Sequence, residues 1–406
     1  MATSSFPVRI DDVVDAAGVL KAAVRRTPLL PSRALSELVG GPVWLKCENL
    51  QRTGSFKVRG AYTRIARLSE AERARGVVAA SAGNHAQGVA LAAAAAGTRA
   101  TVVMPTGAPL PKVAATRSYG AQVVLHGLAV EDALARAREL AQQTGAIFIH
   151  PFDHPDVIAG QGTIGLEIAE QCPAVRTVVV AAGGGGLASG IAIAMASKLP
   201  QARLVCVQAE AVAPLAASLA AGHPVPVTAR PTMADGIAVA RPGDLATTIL
   251  AGLGASAMSV SEETLARALV LCLERGKQLV EPAGATGVAG MLEQPGLFEP
   301  PVVVVLSGGN IDPLLLAKVL RHGLAAAGRY LAFRCRLPDR PGALATLLLE
   351  LAEMGANVIE VLHDRDTADL RVDEAEVMLQ VETRGPEHSD TVTSKLRKAG
   401  YTVIFS

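Results

Sequence analysis

At 406 residues, half of them apolar and 18% charged, the chain is too long for one ordinary core and too hydrophobic to stay unfolded, so more than one globular domain is expected. Aromatic residues make up only 3%, against abundant Ala, Gly and Val, which favours closely packed helix and sheet layers of the α/β class. A net charge of +1 supplies no field to gather nucleic acid or an anionic membrane surface, and five singly placed cysteines argue against disulfides and structural zinc.

The opening MATSSFPVRIDD has neither a basic nor an apolar leader region, and the Ala-rich stretches are too short to span a bilayer, so a cytoplasmic location is expected. From residue 43 onward, short β-branched runs alternate with amphipathic stretches, the pattern of parallel βαβ units. VWLK (43–46), VVAAS (77–81), ATVVMP (100–105) and QVVLHG (122–127) read as strands, with helices at 84–96, 110–119 and 129–143. A second series follows in TVVVAAG (177–183), RLVCVQAE (203–210), AMSV (257–260) and VVVVLSGG (302–309). Near-continuous apolar runs suit strands buried on both faces, and each series is expected to form its own open, parallel-type sheet. After a helix at 312–325, Gly328 marks a hinge and RYLAFRCRLP (329–338) alternates like a half-exposed strand. The remainder reads as a helix within 339–356, strands at 357–365 and 372–383, a helix at 386–399 and a last strand in YTVIFS. That order is βαββαβ, a ferredoxin-like unit, and its nine Lys/Arg against thirteen Asp/Glu over 330–406 set it apart in charge.

Four segments carry chemistry. In TGSFKVRGA (53–61), Lys57 stands between Phe56 and Val58. It reads either as a solvated surface charge or as a lysine turned towards an apolar interior, where the ammonium form is disfavoured and the amine is free for a Schiff base. SAGNHAQGVA (81–90) follows a strand and opens a helix. It is an ordinary connection or a set of free backbone N–H groups suited to a carboxylate. His85 within it reads as a ligand or base or, more simply, as a histidine hydrogen-bonded inside the fold. In AAGGGGLASG (181–190), Gly183, Gly184, Gly185 and Gly186 let the backbone turn inward and offer several N–H donors to one phosphate. A dinucleotide fingerprint competes, with Glu210 at about the distance of its acidic residue, but the unbroken glycine run departs from that spacing. LSGGN (306–310) ends a buried strand, and beside the other three segments Ser307 becomes a partner for a heterocyclic nitrogen.

In this order and spacing the four strings resemble the fold-type II pyridoxal-phosphate enzymes, specifically the threonine/serine dehydratases, over about residues 5–325. The resemblance implies pyridoxal 5′-phosphate as cofactor, in Schiff base with Lys57 and with Phe56 packed beside it. Asn84 would bond its ring hydroxyl oxygen, Gly183 to Gly186 with Leu187 would cradle its phosphate, and Ser307 would face its pyridine nitrogen. Ser81, Ala82, Gly83, Asn84 and His85 match the loop that grips the substrate carboxylate. Two departures from relatives carry information. His85 replaces the Thr usual in sulfhydrylase-type members, and Ala82 replaces the second serine whose hydroxyl serves mammalian-type serine racemases as opposite-face acid/base. The acidic cluster that holds a metal in those racemases is reduced to Glu210, so no metal is expected. LPDRPGAL (337–344) resembles the ligand loop of ACT domains, with Asp339 and Gly342 beside a bound amino-acid effector; the alternative is an ordinary strand-to-helix loop.

The resemblance implies a two-domain catalytic unit, a large domain from 1–40 and 150–325 and a smaller one inserted at 41–149, followed by an ACT domain at 330–406. The expected reaction takes L-threonine to 2-oxobutanoate and ammonia, with L-serine to pyruvate as a second activity. The enzyme is expected to be a homo-oligomer, dimer or tetramer, inhibited by an amino acid such as isoleucine or valine in isoleucine biosynthesis. Serine racemisation, action on 3-hydroxyaspartate, and a non-catalytic amino-acid-binding regulator are the alternatives.

Overall fold

The apolar runs become fourteen strands in a computed structural model that describes residues 6–326, 328–365 and 370–405. Residues 1–5 of the opening stretch and the final residue of YTVIFS lie outside the described residues. The first ten strands are β1 (Leu29–Pro31), β2 (Val43–Lys46), β3 (Val77–Ala80), β4 (Ala100–Met104), β5 (Gln122–Leu125), β6 (Ile147–Phe148), β7 (Thr177–Ala181), β8 (Arg203–Ala209), β9 (Ser256–Val260) and β10 (Val302–Val305). The last four are β11 (Tyr330–Pro338), β12 (Asn357–Asp364), β13 (Glu374–Glu382) and β14 (Thr402–Phe405). The chain divides into two compact units between Asp312 and Pro313, the helix Pro313–Ala326 grouping with the C-terminal one.

In the first unit, one sheet runs β1-β2-β10-β7-β8-β9 and is parallel except for β1, while the other runs β5-β4-β3-β6 and is parallel throughout. Alternation within the valine runs shows why these strands are apolar on both sides. Val178, Val180, Val303 and Val305 join Ala188 and Ile191 of the helix Gly186–Lys198 in one core, while Val179 and Val304 face Gly287 of the helix Pro282–Glu293 on the other side. The smaller sheet repeats the scheme. Val77, Ala79, Val102 and Met104 pack on the helix Asn84–Ala95, and Val78, Ala80 and Val103 pack on Ala133 and Ala137 of the helix Val130–Thr144. Each such valine contributes roughly 1.5–3 kcal/mol by burial.

One expectation needs correction. The strand 43–46 does not belong to the sheet of the first series; β2 pairs in parallel with β10, Trp44 opposite Val303, so the second series captures it. Its partner lies over two hundred residues away, and nothing local in VWLK specifies that pairing.

In the second unit, β11 to β14 form an antiparallel sheet of order β12-β13-β11-β14 with the helices Ala343–Glu353 and Pro386–Lys398, the ferredoxin-like βαββαβ arrangement. Phe333, Cys335 and Leu337 alternate towards Leu347, Leu351, Val392 and Leu396 of the two helices.

Candidate active site

Three loops at the carboxyl ends of β3, β7 and β10 meet the start of one helix, as expected for a binding crevice in open α/β sheets. That helix, Lys57–Ala66, is fixed from below by charge. Arg59 donates to Glu48 Oε1 and Oε2 at 2.8 Å and to Glu167 Oε1 at 2.7 Å, and Lys46 donates to Glu167 Oε2 at 2.5 Å. Arg59, Lys46 and Glu48 are all buried, so this is an interior network and not a solvated pairing. Two close approaches fix the helix laterally. A Cβ on Gly60 would fall 2.5 Å from Gln161 Nε2 on the helix Pro155–Gln171, and one on Gly88 would fall 3.1 Å from the Lys57 backbone. The segment before the helix is stitched to the loop after β10, with Phe56 N donating to Ser307 O at 3.1 Å and Gly309 N to Gly54 O at 2.8 Å.

The Lys57 amine therefore points into a cleft of about 520 Å³. Its Nζ donates to Pro151 O at 3.0 Å. Burial pushes its pKa down to about 8, with the Glu281 carboxylate the opposing influence. A usable share of neutral amine results near neutral pH.

Every sequence-derived residue of the catalytic unit lines this one cleft: Phe56 and Lys57, Ser81, Ala82, Gly83, Asn84 and His85, Gly183, Gly184, Gly185, Gly186 and Leu187, and Ser307. Asn84 opens the helix Asn84–Ala95, so the N–H groups of Asn84 and His85 at its start have no intrahelical acceptor and belong to residues that line the cleft, while Ala86 N donates to Gly83 O at 3.1 Å. His85 is buried, its Nε2 3.0 Å from Ile149 O, and burial beside Lys57 pushes its pKa down to about 3. This is the geometry of a neutral histidine bonded within the fold.

The glycine run fits a phosphate. A Cβ on Gly184 would sit 2.4 Å from the Phe152 ring, one on Gly186 2.4 Å from Phe152 O, one on Gly183 2.9 Å from Ile237 Cα, and one on Gly185 2.8 Å from Ala246 Cβ. Gly185 also takes φ +91° as the cap of the helix Gly186–Lys198, a conformation L side chains rarely adopt. Backbone amides at that helix start are left facing the cleft, an anion cradle built of main chain alone.

Sequence reasoning missed Glu281, Lys112, Asp235, Pro151 and Phe152, all of which line the cleft. The signal for Glu281 was an acid directly before the proline that opens a helix, in EPAGA. Lys112 Nζ and Asp235 Oδ2 pair at 3.0 Å across the mouth. Among the described residues no group of three or more His, Cys, Asp or Glu could hold a metal ion, and no helix is long and apolar enough to cross a membrane.

Asp339 and Gly342 do not join this cleft. They line a second cavity of about 320 Å³ with Arg340, His363 and Arg365. Both Asp339 carboxylate oxygens accept from Arg365 Nε at 3.1 Å, and Gly342 caps the helix Ala343–Glu353 at φ +89°.

Comparison with known proteins agrees with the cleft. The chain is 47% identical over 396 residues to an L-threonine ammonia-lyase of Thermotoga maritima, covering 98% of this chain and 99% of that protein. Among solved structures it is similar to the processed form of threonine deaminase isoform 2 from Solanum lycopersicum, at 35% identity and TM-score 0.74 over 77% of this chain and 92% of that one. It is also similar to maize serine racemase, at 33% identity and TM-score 0.74 over 79% and 99% of the two chains. Residues 20–308 match the sequence family described as pyridoxal-phosphate dependent enzyme. Because that match contains the whole cleft, from Phe56 to Ser307, the chain belongs to this family of pyridoxal-phosphate-dependent enzymes, with pyridoxal 5′-phosphate as its cofactor.

Proposed function

We propose that the protein is a threonine ammonia-lyase, converting L-threonine to 2-oxobutanoate and ammonia, with L-serine to pyruvate as a second activity. The observation that carries this reading is the buried Lys57 amine, its pKa pushed down to about 8, in one cleft with the glycine cradle and Ser307. The similarity to the Thermotoga maritima enzyme over nearly the full length of both chains supports the same choice.

Bound pyridoxal phosphate supplies an electron sink for a substrate whose Cα–H bond breaks. The protein does the rest. Gly183 to Gly186 and Leu187 would hold the cofactor phosphate, and Lys57 would anchor the cofactor and, as a free amine, serve as general base for the Cα proton. Ser81 and the backbone of residues 82–85 would hold the substrate carboxylate. Ser307 offers a neutral hydroxyl where an aspartate would keep a ring nitrogen protonated, favouring prompt loss of the β-hydroxyl over transamination. Water leaves, and the released enamine hydrolyses to keto acid and ammonia. Racemisation needs a proton donor on the second face, and Ala82 provides none; this distinguishes the reading from the serine racemase that the fold also resembles.

We further propose that the catalytic unit comprises 1–40 with 150–325 and the inserted 41–149, that residues 330–406 form an ACT domain, and that the enzyme works in the cytoplasm as a homo-oligomer. An amino acid, isoleucine or valine by preference, would bind at Asp339 and Gly342 and inhibit.

Two experiments test these readings. Purified holoenzyme is given a panel of β-hydroxy amino acids while keto-acid formation is followed: L-threonine should give 2-oxobutanoate fastest, and Lys57→Ala should lower turnover by about 10²–10⁴. D-serine as the main product from L-serine, or parent-like turnover in Lys57→Ala, overturns the assignment. Titrating the twenty amino acids against the full chain should reveal an inhibitor with coupling of about 1–3 kcal/mol, and a chain that responds to none of them has no effector site at Gly342.

A further inference from the structure

Glu281 is a cleft residue that none of the four motifs contains. It precedes the first proline of the helix Pro282–Glu293, its backbone N–H donates to Gly308 O at 3.0 Å, and it is 5% exposed. Its Oε1 accepts from Asn84 Nδ2 at 2.5 Å. On the other side of the same amide, Asn84 Oδ1 accepts from Asn310 Nδ2 at 2.7 Å, and Asn310 Nδ2 also donates to Thr53 O at 2.6 Å.

A primary amide has one acceptor oxygen and two N–H donors. Here the oxygen is occupied by Asn310 and one N–H by Glu281, which leaves one N–H. Exchanging the two ends of the amide would set oxygen against a carboxylate and N–H against N–H, so the flip follows from the network. The packing is specific as well. A Cβ on Gly308 would lie 2.2 Å from Glu281 Oε1 and 3.1 Å from Asn84 Nδ2, so the glycine of SGGN stands where the carboxylate needs its room. Around the carboxyl group stand Lys57 from its helix, Asp235 from the turn Asp235–Ile237 and Lys112 from the helix Leu110–Ser118. Burial pushes the group up to about 7, Asp235 adding to the push and Asn84, Lys112 and Lys57 opposing it.

We infer that Glu281 is a positioning residue that locks the Asn84 side chain with its free Nδ2–H turned to the cofactor. The inference rests on Asn84 as a cofactor contact. Glu281 acts through Asn84, and Asn310 completes the clamp.

The test uses the full chain as Glu281→Ala, Glu281→Gln, Asn84→Ala and the double Glu281→Ala/Asn84→Ala, with cofactor affinity measured by dialysis of apoprotein and the visible absorption of bound cofactor recorded beside turnover. Loss of one directed hydrogen bond should weaken cofactor affinity about fivefold to tenfold in Glu281→Ala and shift the band in the direction seen for Asn84→Ala. Glu281→Gln, which keeps an oxygen acceptor, should restore most of both, and the double variant should be no worse than Asn84→Ala. Additive losses in the double variant overturn the inference, as does a parent-like Glu281→Ala beside an affected Asn84→Ala. An Asn84→Ala protein with unchanged affinity and band overturns the Asn84 contact and the inference together. Should Glu281→Ala not fold, Glu281→Asp, which withdraws the acceptor by one methylene but keeps the acid, must show the Asn84→Ala band shift; an unshifted band in Glu281→Asp overturns the inference.

Discussion

Gly184 shows how one missing side chain shapes the site. With the Phe152 ring 2.4 Å from where a Cβ would lie, Gly184→Ala must push either the ring or the cradle out of place. Overpacking of that kind costs about 1–3 kcal/mol, so cofactor affinity should fall about tenfold to a hundredfold while the protein stays folded. Equilibrium dialysis against pyridoxal phosphate reads this directly, and unaltered affinity would mean that the run does not form the cradle. Gly183 to Gly186, Lys57, Asn84 and Ser307 could be singled out because the four strings that hold them occur together in one order and spacing, each string alone keeping an ordinary reading. Glu281, Asp235 and Lys112 were not, because each reaches the cleft from a different element and only tertiary folding brings it there. Phe152 was invisible for a related reason: its role is to leave no room for a side chain elsewhere.

At the level of elements, the Lys57 helix depends on a network that no hydrophobic pattern reveals. Arg59 is buried against Glu48 and Glu167, and removing one partner of a buried pair leaves an uncompensated charge. Arg59→Met should therefore cost about 3–5 kcal/mol, and adding Glu48→Gln should return part of it, since less charge is then stranded. Denaturant midpoints of the single and double variants check both signs; a double variant weaker than the single would refute the pairing. Most strands read from the sequence end within one or two residues of those observed, because runs such as VVVV at Val302–Val305 are both β-branched and buried on two faces; the reading 302–309 runs four residues past Val305, into the turn that holds Ser307. β1 and β6, of three and two residues, were too short to show any period. The sheet of β2 could not be read from chain order, since parallel pairing joins segments remote in sequence.

Across the whole molecule, buried histidines give stability a pH dependence whose sign can be stated. Burial pushes His85 down from 6.5 to about 3 and His150 down from 6.5 to about 4, with Asp153 opposing the latter shift. The unfolded chain binds more protons between those values and 6.5, so this contribution is complete above about pH 6.5 and is lost as pH falls towards 4 and then 3. Glu281, raised from 4.5 to about 7, works in the opposite sense over its own window, while His154, also pushed down by burial, adds to the side of the other two histidines. His150 Nδ1 accepts from Phe152 N and Asp153 N at 3.3 and 2.8 Å, a role an asparagine oxygen can imitate. His150→Asn should thus flatten the slope of stability between pH 4 and 6.5 by up to about 1.4 kcal/mol per pH unit, measurable as unfolding free energy at stepped pH; an unchanged slope would show that His150 is not held neutral. The two parallel sheets were foreseeable as a pair, but the path between them was not. The chain leaves β2 for β3 by way of Phe56 and Lys57 and returns after β6 through Pro151 and Phe152, and all four residues wall the cleft. The Lys57 amine donates to the Pro151 carbonyl, so the outgoing and returning connections are tied together inside the cleft, and any tilt of one sheet against the other must be carried through its walls.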